Sequence, residues 1–401
     1  FKVKKKSKNN NESNHDERTT HEQPSSPLLP IQYFSLSKNV KNTTTSHPLN
    51  MAFTHVTELY PHVFQKAPRY EDTHMLFFQS LNLIDQILEN ESLKWPEHVK
   101  YINTVYQMDS LVSKSALAFY LRSQPDVIPQ TYILHDRQDR LRMQMDDEFV
   151  DEKTPFILKK NIQRQEGFFM SSSGSALMQK CAKQDMRHID LDHFVVCQKV
   201  LQNPYLINKR KINMRIYLLI VFDKVHQSQW FIFNNGFLYY APKVIRDEEK
   251  GHTLSDPQQL ITSGYLGREI YEGNPMTLHD MAHYNSQTRK DYPIIFANII
   301  NMMRKIKEAY DPHLCMHNKV FREARAPTTE YMFSLLGCDV APDASLDVKL
   351  MEMNKGPDMS FKDEKDGALK KDIAAHIMFI LGILPFEAMD RSYKHAFIPI
   401  A

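Results

Sequence analysis

The sequence has few of the features that mark secreted, membrane-bound or disulfide-stabilised proteins. Its four cysteines are widely scattered and include no C-x-x-C pair, which argues against a disulfide framework or a zinc ribbon and fits a reducing compartment. No stretch reaches the ~18 apolar residues that a membrane-spanning helix requires. The amino end also lacks the apolar region of a signal peptide. We therefore expect a soluble, cytoplasmic protein that is not bound to a membrane.

Several catalytic signatures are also missing, and each absence argues against a class of enzyme. There is no G-x-x-x-x-G-K-[ST] loop and no G-x-G-x-x-G after a strand, so P-loop and Rossmann folds have no support. The H-R-D and D-F-G motifs of kinases and the G-x-S-x-G motif of hydrolases are absent too. His313 and His317 are interpreted as surface or core histidines rather than zinc ligands. The formal net charge of +2 argues against a general nucleic-acid binder.

The chain is long enough, at 401 residues, to contain two or three packed units. Residues 1–50 are rich in Asn, Ser, Thr, His and Lys and are predicted to be a disordered or weakly ordered arm. The basic segment Phe1–Lys8 is an anchor for an acidic partner, a nuclear import signal or a solvated tail. Three lobes are predicted to follow: a small α/β lobe at 51–150, a central lobe at 151–207 and a larger lobe at 208–401.

Hydrophobic periodicity gives a coarse element map. A helical stripe is predicted at Leu76, Phe77, Leu81, Ile84, Ile87 and Leu88, and a second helix from an Asp109 N-cap to Leu121. Strands are predicted within 127–134, 154–159, 168–170, 194–199 and 210–222, with a hairpin over 230–240 that turns at 234–236. Residues 241–292 read as surface loops, and helices are predicted at 294–309 and 366–384, the second ended by Pro385.

A second predicted hairpin, Phe333–Met359, carries carboxylates where a plain core strand would not place them. Strict alternation would put Val348, Leu350, Glu352 and Asn354 on one face of its second strand, with Asp339 near the end of the first. Asp, Glu and Asn together form a hard-oxygen set that suits magnesium. On spacing alone, an edge strand with solvated polar residues is an equal alternative.

Cationic side chains precede this hairpin at the ends of predicted strands. Lys159 and Lys199 each end a strand, and Lys211, Asn213 and Arg215 share one face at the start of another. A single lysine at a strand end can extend its ammonium to water. Several such lysines together with Asp339, Glu352 and Asn354 are better explained by a magnesium-bound triphosphate, with the lysines on the phosphates and the carboxylates on the metal.

An ordered series of motifs resembles a known family. The succession IPQTYIL, FILK, EGF, VVCQKVLQNPYLI, KRKINMRIYLLI, NNGFLYY, LITS, FSLLGCDV and LMEMNKGP is similar to the tubulin–tyrosine ligase-like family of ATP-grasp amino-acid ligases. The resemblance covers about residues 100 to 384. It implies an α+β ATP-grasp fold, with a small N-terminal α/β lobe, a central lobe and a larger C-terminal lobe, and with the nucleotide between the last two.

The resemblance also implies roles for individual residues. Lys159 would contact the α- and β-phosphates, and the adenine hinge would comprise Gln198, Lys199 and the backbone at Val200 and Leu201. Lys211, Asn213 and Thr262 would lie at the nucleotide. Arg215 would lie near the phosphates or the incoming amino acid, and Asp339, Glu352 and Asn354 would hold Mg²⁺. Arg215 and Glu352 are the expected catalytic residues, and ATP, a free amino acid and a protein acceptor, with tubulin favoured, are the expected partners.

Some positions depart from the family pattern. The family usually has Asp where Asn213 stands, commonly has Arg at the positions of Asn234 and Tyr239, and has His-Leu-Thr-Asn at 260–263, where this chain reads LITS. These changes lie mostly on the amino-acid side of the expected pocket. The first hypothesis is therefore an ATP- and Mg²⁺-dependent ligase that modifies a protein, with a cytoskeletal or ciliary location. A catalytically impaired binding or scaffold protein and a small-molecule ligase remain alternatives.

Overall fold

The computed structural model describes residues 30–36, 51–78, 95–152, 154–161, 167–182, 193–225, 227–249, 252–262, 267–385 and 396–401. Most of the predicted N-terminal arm, and Leu81, Ile84, Ile87 and Leu88 of the predicted helical stripe, lie outside these residues. The arm prediction was wrong for Ile31–Leu36, which form a strand that pairs with two others. Within them, no helix combines the length and the apolar composition needed to cross a bilayer.

The described strands are assigned in chain order: β1 (Ile31–Leu36), β2 (Phe64–Lys66), β3 (Met75–Phe78), β4 (Tyr101–Ile102), β5 (Thr131–Ile133), β6 (Phe156–Lys160), β7 (Phe168–Ser171), β8 (Phe194–Lys199), β9 (Leu206–Ile207), β10 (Arg210–Phe222), β11 (Ser228–Tyr240), β12 (Tyr331–Pro342), β13 (Val348–Lys355) and β14 (Phe397–Ile400). The described α-helices are α1 (Met51–Leu59), α2 (Asp109–Val112), α3 (Lys114–Tyr120), α4 (Arg137–Gln144), α5 (Asp147–Val150), α6 (Gly174–Ala182), α7 (Pro257–Leu260), α8 (Leu278–Tyr284), α9 (Ser286–Arg325) and α10 (Glu364–Ile380).

Two sheets organise this mixed α/β fold. A ten-stranded sheet runs in the order β14-β11-β10-β12-β4-β3-β1-β2, with β13 paired to β12 and β9 paired to β10. A separate four-stranded sheet has the order β5-β8-β6-β7. The second sheet falls within the predicted central segment except for β5, which precedes it. The division into three lobes at the predicted boundaries stays a prediction.

The large sheet is covered on both faces because its central strands β10 and β12 are apolar on both sides. Alternate residues of β10, such as Met214 and Ile216, pack in the core cluster that contains the buried face of α9. The intervening residues, such as Leu219 and Val221, pack with α1 and α10 in a second cluster. A strand buried on both faces reads as a nearly continuous apolar run, and this explains why the sequence predicts β10 over its full length.

The long helix α9 confirms and extends the helix predicted at 294–309. It begins at Ser286, where Asn285 accepts a hydrogen bond from the Thr288 amide and Thr288 accepts one from the Asn285 amide. This capping box defines the start, and Pro293 and Pro312 lie inside the helix without ending it. Residues 241–292, predicted as loops, therefore also contain α7, α8 and about the first two turns of α9.

Several local predictions were wrong. Leu76 and Phe77 lie in β3 rather than in a helix. Asp109 is the first residue of α2 rather than its cap, and the predicted helix is interrupted at Ser113 before α3 begins. The last helix starts after an Asp363 cap and ends at Ile380, before Pro385. Gly382 follows with φ +69°, a conformation that glycine adopts without strain.

The predicted turn at Asn234-Asn235-Gly236 is a β-bulge inside one continuous strand. Across β10 and β11 the register shifts between Ile216, opposite Gly236, and Leu218, opposite Ile232. The Asn235 side-chain oxygen accepts hydrogen bonds from the Gly236 and His279 amides, so it stabilises the bulge. A Cβ at Gly236 would lie 2.1 Å from the Arg215 carbonyl oxygen. The Asn-Gly pair thus fits close approach of two strands here, not a hairpin turn.

Candidate functional site

Polar side chains cluster on one face of three neighbouring strands. Arg215 of β10 lies opposite Asp339 of β12, and Asp339 in turn lies opposite Glu352 of β13. Residues opposite each other across antiparallel strands point to the same side of the sheet. The strand register therefore places one guanidinium and two carboxylates side by side, and Asn354 lies on the same face, opposite Gly337.

A bulge in β13 changes which face its polar residues occupy. Asp339 pairs with Glu352 whereas Val340 pairs with Leu350, so Met351 is an extra residue. Val348, Leu350 and Met353 all pack in the α9-side core cluster. The prediction that Val348, Leu350, Glu352 and Asn354 share one face was therefore wrong: the bulge turns Glu352 and Asn354 to the opposite side. The prediction that Glu352 and Asn354 point the same way is confirmed.

Arg215 and Asp339 form a two-point ion pair. The Arg215 Nε donates to Asp339 Oδ1 at 2.6 Å and its Nη2 donates to Oδ2 at 3.0 Å. Burial acts to lower the pKa of Arg215, but the Asp339 carboxylate outweighs it and the pKa lies well above its ordinary value. Burial raises the pKa of Asp339, against the opposing effect of Arg215 and with a further increase from Glu352. Two carboxylates are thus held together against their mutual repulsion.

Glu352 is stabilised in its charged form by cations from other elements. Burial acts to raise its pKa, but the Lys114 and Lys159 ammoniums outweigh this effect and the pKa falls below its ordinary value. Lys114 Nζ lies 3.7 Å from Glu352 Oε2, and the Lys114 side chain is only 12 % exposed. The Asn354 amide also donates to Glu352 Oε1 at 3.3 Å.

Lys159 links the small sheet to these carboxylates. Its Nζ donates to the Gln198 side-chain oxygen at 2.6 Å, and Gln198 in turn donates to the Thr131 hydroxyl at 2.9 Å. Burial lowers the pKa of Lys159 to about 8, while Glu352 acts to raise it and Lys114 to lower it further. Lys114 and Lys159 therefore lie close to each other as well as to Glu352, and a further anion bound here would be stabilised by both ammoniums.

Lys211 is the cation with the least compensation in this site. It is 4 % exposed, and its Nζ donates to the Leu260 carbonyl oxygen at 2.5 Å. Burial, together with the smaller effect of the Lys159 charge, lowers its pKa to about 7. No carboxylate within the described residues forms an ion pair with it. Thr262, two residues after Leu260, is also buried, while Ser263 lies outside the described residues.

The residues assigned to an adenine hinge have mixed surroundings. Lys199 forms an ion pair with Glu148 of α5 at 2.5 Å, so its charge is already balanced. The Val200 amide donates to the Pro155 carbonyl oxygen at 3.0 Å, and Leu201 is half-buried beside it. A small apolar cluster joins this region to the large-sheet side of the molecule; its buried members are Ile157, Val200, Ile245, Leu254 and Leu260.

Asn213 contributes an unsatisfied acceptor to the same face. Its Oδ1 is buried and has no hydrogen-bond partner among the described residues. A buried acceptor without a partner is costly, and a hydroxyl donor of a bound ligand, such as a ribose, would satisfy it. The donor set Asp339, Glu352 and Asn354 fits Mg²⁺, which prefers carboxylate and amide oxygens. The described residues hold no metal-binding group of three or more His, Cys, Asp or Glu, so the amide is needed to complete the set.

Two of the positions that differ from the family pattern, Asn234 and Tyr239, contact other residues of the chain. The Asn234 side-chain oxygen accepts a hydrogen bond from the Ala396 amide at 2.9 Å, next to β14. The Tyr239 ring lies under the Arg215 guanidinium, 5.2 Å from ring centroid to Cζ. Lys114 is a site residue that the sequence does not predict, because it lies in a helix more than two hundred residues before Glu352 and no spacing rule links the two.

Comparison with known proteins identifies the family to which the chain belongs. The model of the tubulin-tyrosine ligase family matches residues 86–390, which is well over half of the chain. The chain belongs to the tubulin-tyrosine ligase family. This confirms the resemblance drawn from the motifs, and the matched range contains every site residue discussed above.

Several curated proteins are similar to this chain at low sequence identity. Tubulin polyglutamylase TTLL7 of Xenopus tropicalis is 22% identical over 202 residues, covering 48% of this chain and 22% of the relative. Tubulin polyglutamylase TTLL5 of Mus musculus is 19% identical over 224 residues, covering 53% and 16%, and tubulin polyglutamylase TTLL6 of Homo sapiens is 22% identical over 211 residues, covering 49% and 22%. The matched part of the chain thus spans about a fifth of the length of these relatives.

Proposed function

We propose that the chain is an ATP- and Mg²⁺-dependent ligase that adds an amino acid to a protein carboxylate, with tubulin tails as the favoured acceptor. Membership of the tubulin-tyrosine ligase family and similarity to proteins named tubulin polyglutamylases support a tubulin-modifying ligase. The observation that carries the proposal is the convergence of Lys114, Lys159 and Arg215 on Asp339 and Glu352, with the buried Lys211 next to Lys159. A cytoplasmic, cytoskeletal or ciliary location follows from such an acceptor.

An ATP-grasp arrangement accounts for the surroundings of this cluster. In the proposal, adenine lies at the apolar cluster of Ile157, Val200 and Leu260, between the small sheet and the large one. The phosphates then extend towards Lys159 and Lys211, whose charges are buried without full compensation. Asn213 offers its buried acceptor to the ribose.

Asp339, Glu352 and Asn354 would hold Mg²⁺. A bound Mg²⁺ neutralises charge on the phosphate oxygens and on the two carboxylates. Asp339 and Glu352 are suited to this role because they are adjacent and partly paired with cations, Asp339 being buried and Glu352 half-buried.

The chain's own residues would act mainly through position and charge. Arg215, Lys114 and Lys159 stabilise negative charge while the γ-phosphoryl group moves to the acceptor carboxylate and gives an acyl phosphate. The amine of the incoming amino acid then attacks the acyl carbon and displaces phosphate. The buried setting of these side chains excludes water, which would otherwise hydrolyse the acyl phosphate.

A catalytically impaired binding protein is the second candidate function. It is favoured by the departures at Asn213, Asn234 and Tyr239, because Asn234 is engaged by the Ala396 amide and Tyr239 by Arg215. This candidate predicts nucleotide binding without turnover.

Replacement of Glu352 tests the ligase proposal. We expect wild-type protein to release ADP only when a free amino acid and a peptide acceptor are both present, and Glu352→Gln to lower that rate by about two orders of magnitude or more. The matched control is Glu330→Gln, which removes an exposed carboxylate paired with Lys100 at 3.1 Å. Nucleotide binding without acceptor-dependent ADP release in the wild type would favour the second candidate instead.

A further inference from the structure

The Arg215 side chain is contacted from three directions. Asp339 accepts two hydrogen bonds from it, at 2.6 and 3.0 Å. The Tyr239 ring lies 5.2 Å from Cζ, within the range of a cation–π contact. On a third side, a Cβ at Gly337 would lie 3.1 Å from Arg215 Cδ and 3.3 Å from Nη1, so only glycine gives the arginine its full space.

The strand register explains how Tyr239 reaches this arginine. Asn213 lies opposite Tyr239, and Arg215 lies opposite Phe237, across β10 and β11. Tyr239 is thus the diagonal neighbour of Arg215 on the same face, at a separation that aromatic and long side chains can bridge. Phe237, directly opposite Arg215, lies instead under the Lys370 ammonium, 5.7 Å from its ring centroid.

We propose that Tyr239 is a positioning residue whose ring holds the Arg215 guanidinium in its two-point contact with Asp339. Long arginine side chains lose considerable rotamer freedom when they are fixed in one geometry. A planar ring on the open face of the guanidinium restricts those rotamers without supplying a competing anion. This inference rests on the proposed function for its kinetic consequence, but the geometry that it concerns exists without ligand.

A set of substitutions separates the ring from the hydroxyl. Tyr239→Leu removes the ring, Tyr239→Phe removes only the hydroxyl, and Tyr239→Met provides a second ringless variant should the leucine variant fail to fold. Phe119→Leu is the matched control, because it removes a ring that lies 5.3 Å from the Arg122 Cζ at an exposed site on α3.

The ligand-free readout is the side-chain NMR signal of Arg215. In wild type and Tyr239→Phe we expect ring-current-shifted Arg215 side-chain protons and a slowly exchanging Nε–H. In Tyr239→Leu or Tyr239→Met the ring-current shift disappears and the Nε–H exchanges faster, roughly tenfold or more. Phe119→Leu leaves both signals as in wild type. Unchanged Arg215 signals in a folded ringless variant overturn the inference.

Steady-state kinetics give a second test, which, unlike the NMR comparison, requires the protein to turn over substrate. We expect loss of the ring to lower kcat roughly tenfold, with KM for ATP changed less than about threefold, and Tyr239→Phe to restore most of the loss. A wild-type protein without acceptor-dependent ADP release contradicts the proposed function, while the NMR comparison still decides the role of Tyr239. A ringless variant whose kcat equals that of wild type overturns the inference.

Discussion

At the scale of single residues, the site is defined by charges that the fold does not balance. Among the described residues, Lys114, Lys159 and Arg215 face the carboxylates of Asp339 and Glu352, and Lys211 lies near Lys159 without a carboxylate partner. Lys211 gives the clearest case, because it is buried and its ammonium donates to the Leu260 carbonyl oxygen without a carboxylate partner among the described residues. A buried cation of this kind lowers stability and is better explained by ligand binding than by packing.

Replacement of Lys211 tests this argument. We expect Lys211→Met to have a free energy of unfolding equal to or higher than that of wild type, because a desolvated charge is removed. Nucleotide affinity should fall by roughly tenfold or more, since a charge-assisted contact to phosphate is lost. Chemical denaturation and titration calorimetry measure the two quantities. A variant that is less stable but binds nucleotide normally would show that Lys211 has a structural role instead.

The lowered lysine pKa values also predict a pH dependence. The pKa of Lys159 is about 8 and that of Lys211 about 7, against an ordinary value of 10.5. At a pH between each lowered pKa and 10.5, the unfolded chain binds more protons than the folded one. The contribution of these lysines to the free energy of unfolding therefore increases as the pH rises through that window. A bound polyphosphate favours the protonated ammoniums and therefore raises both pKa values.

Nucleotide binding should accordingly take up protons. We expect affinity to weaken from about pH 7.5 to about pH 9, because the free site loses its lysine protons over that range. Calorimetry at one pH in buffers of different ionisation enthalpy gives the number of protons taken up. Proton release on binding, or a Kd that does not change with pH, would contradict the assignment of these lysines to the phosphates.

At the scale of elements, two bulges shape the site. The bulge in β11 lets Gly236 approach the Arg215 carbonyl oxygen, and the extra residue in β13 turns Glu352 and Asn354 towards Asp339. Bulges re-aim side chains next to active sites more often than elsewhere. The regular pairing of both strands is therefore interrupted at the position where the polar residues of the site are located.

A comparison of two glycines tests the importance of the β11 bulge. Gly236→Ala would bring a Cβ to 2.1 Å from a backbone oxygen, whereas at Gly273 a Cβ meets nothing within 4 Å. We expect Gly236→Ala to lower the free energy of unfolding by about 2 kcal/mol or more, and Gly273→Ala to change it by less than about 0.5 kcal/mol. Thermal or denaturant unfolding measures both. Equal effects would mean that the strands can separate locally without cost.

The sequence predicts the strands that bear the site better than it predicts their local irregularities. The apolar runs of β6, β8, β10 and β12 follow from composition alone, because buried strands are continuously apolar. The bulges do not, since Asn-Gly in β11 carries the same local signal as a hairpin turn. Lys114 has no local signal either, because its partner Glu352 is distant in sequence. Such features depend on which strands pair, and pairing is a property of the whole fold.

At the scale of the whole molecule, the site lies where separate parts of the fold meet. The large sheet supplies Arg215, Asp339 and Glu352, the small sheet supplies Lys159, and helix α3 supplies Lys114. Helix α3 is itself tied to the small sheet, because the Lys114 amide donates to the Asn161 side-chain oxygen at 3.1 Å. Relative movement of these parts would change the distances between the cations and the carboxylates.

The most direct test of the central claim measures ADP release by the full chain with ATP, Mg²⁺, an amino-acid mixture and tubulin, alongside mass spectrometry of the tubulin. The account predicts that ADP release requires both the amino acid and tubulin, that tubulin gains the mass of added residues, and that Asp339→Ala abolishes both signals. Product formation that persists in folded Asp339→Ala would contradict the metal assignment. Wild-type protein that binds ATP but modifies no acceptor would contradict the ligase activity itself.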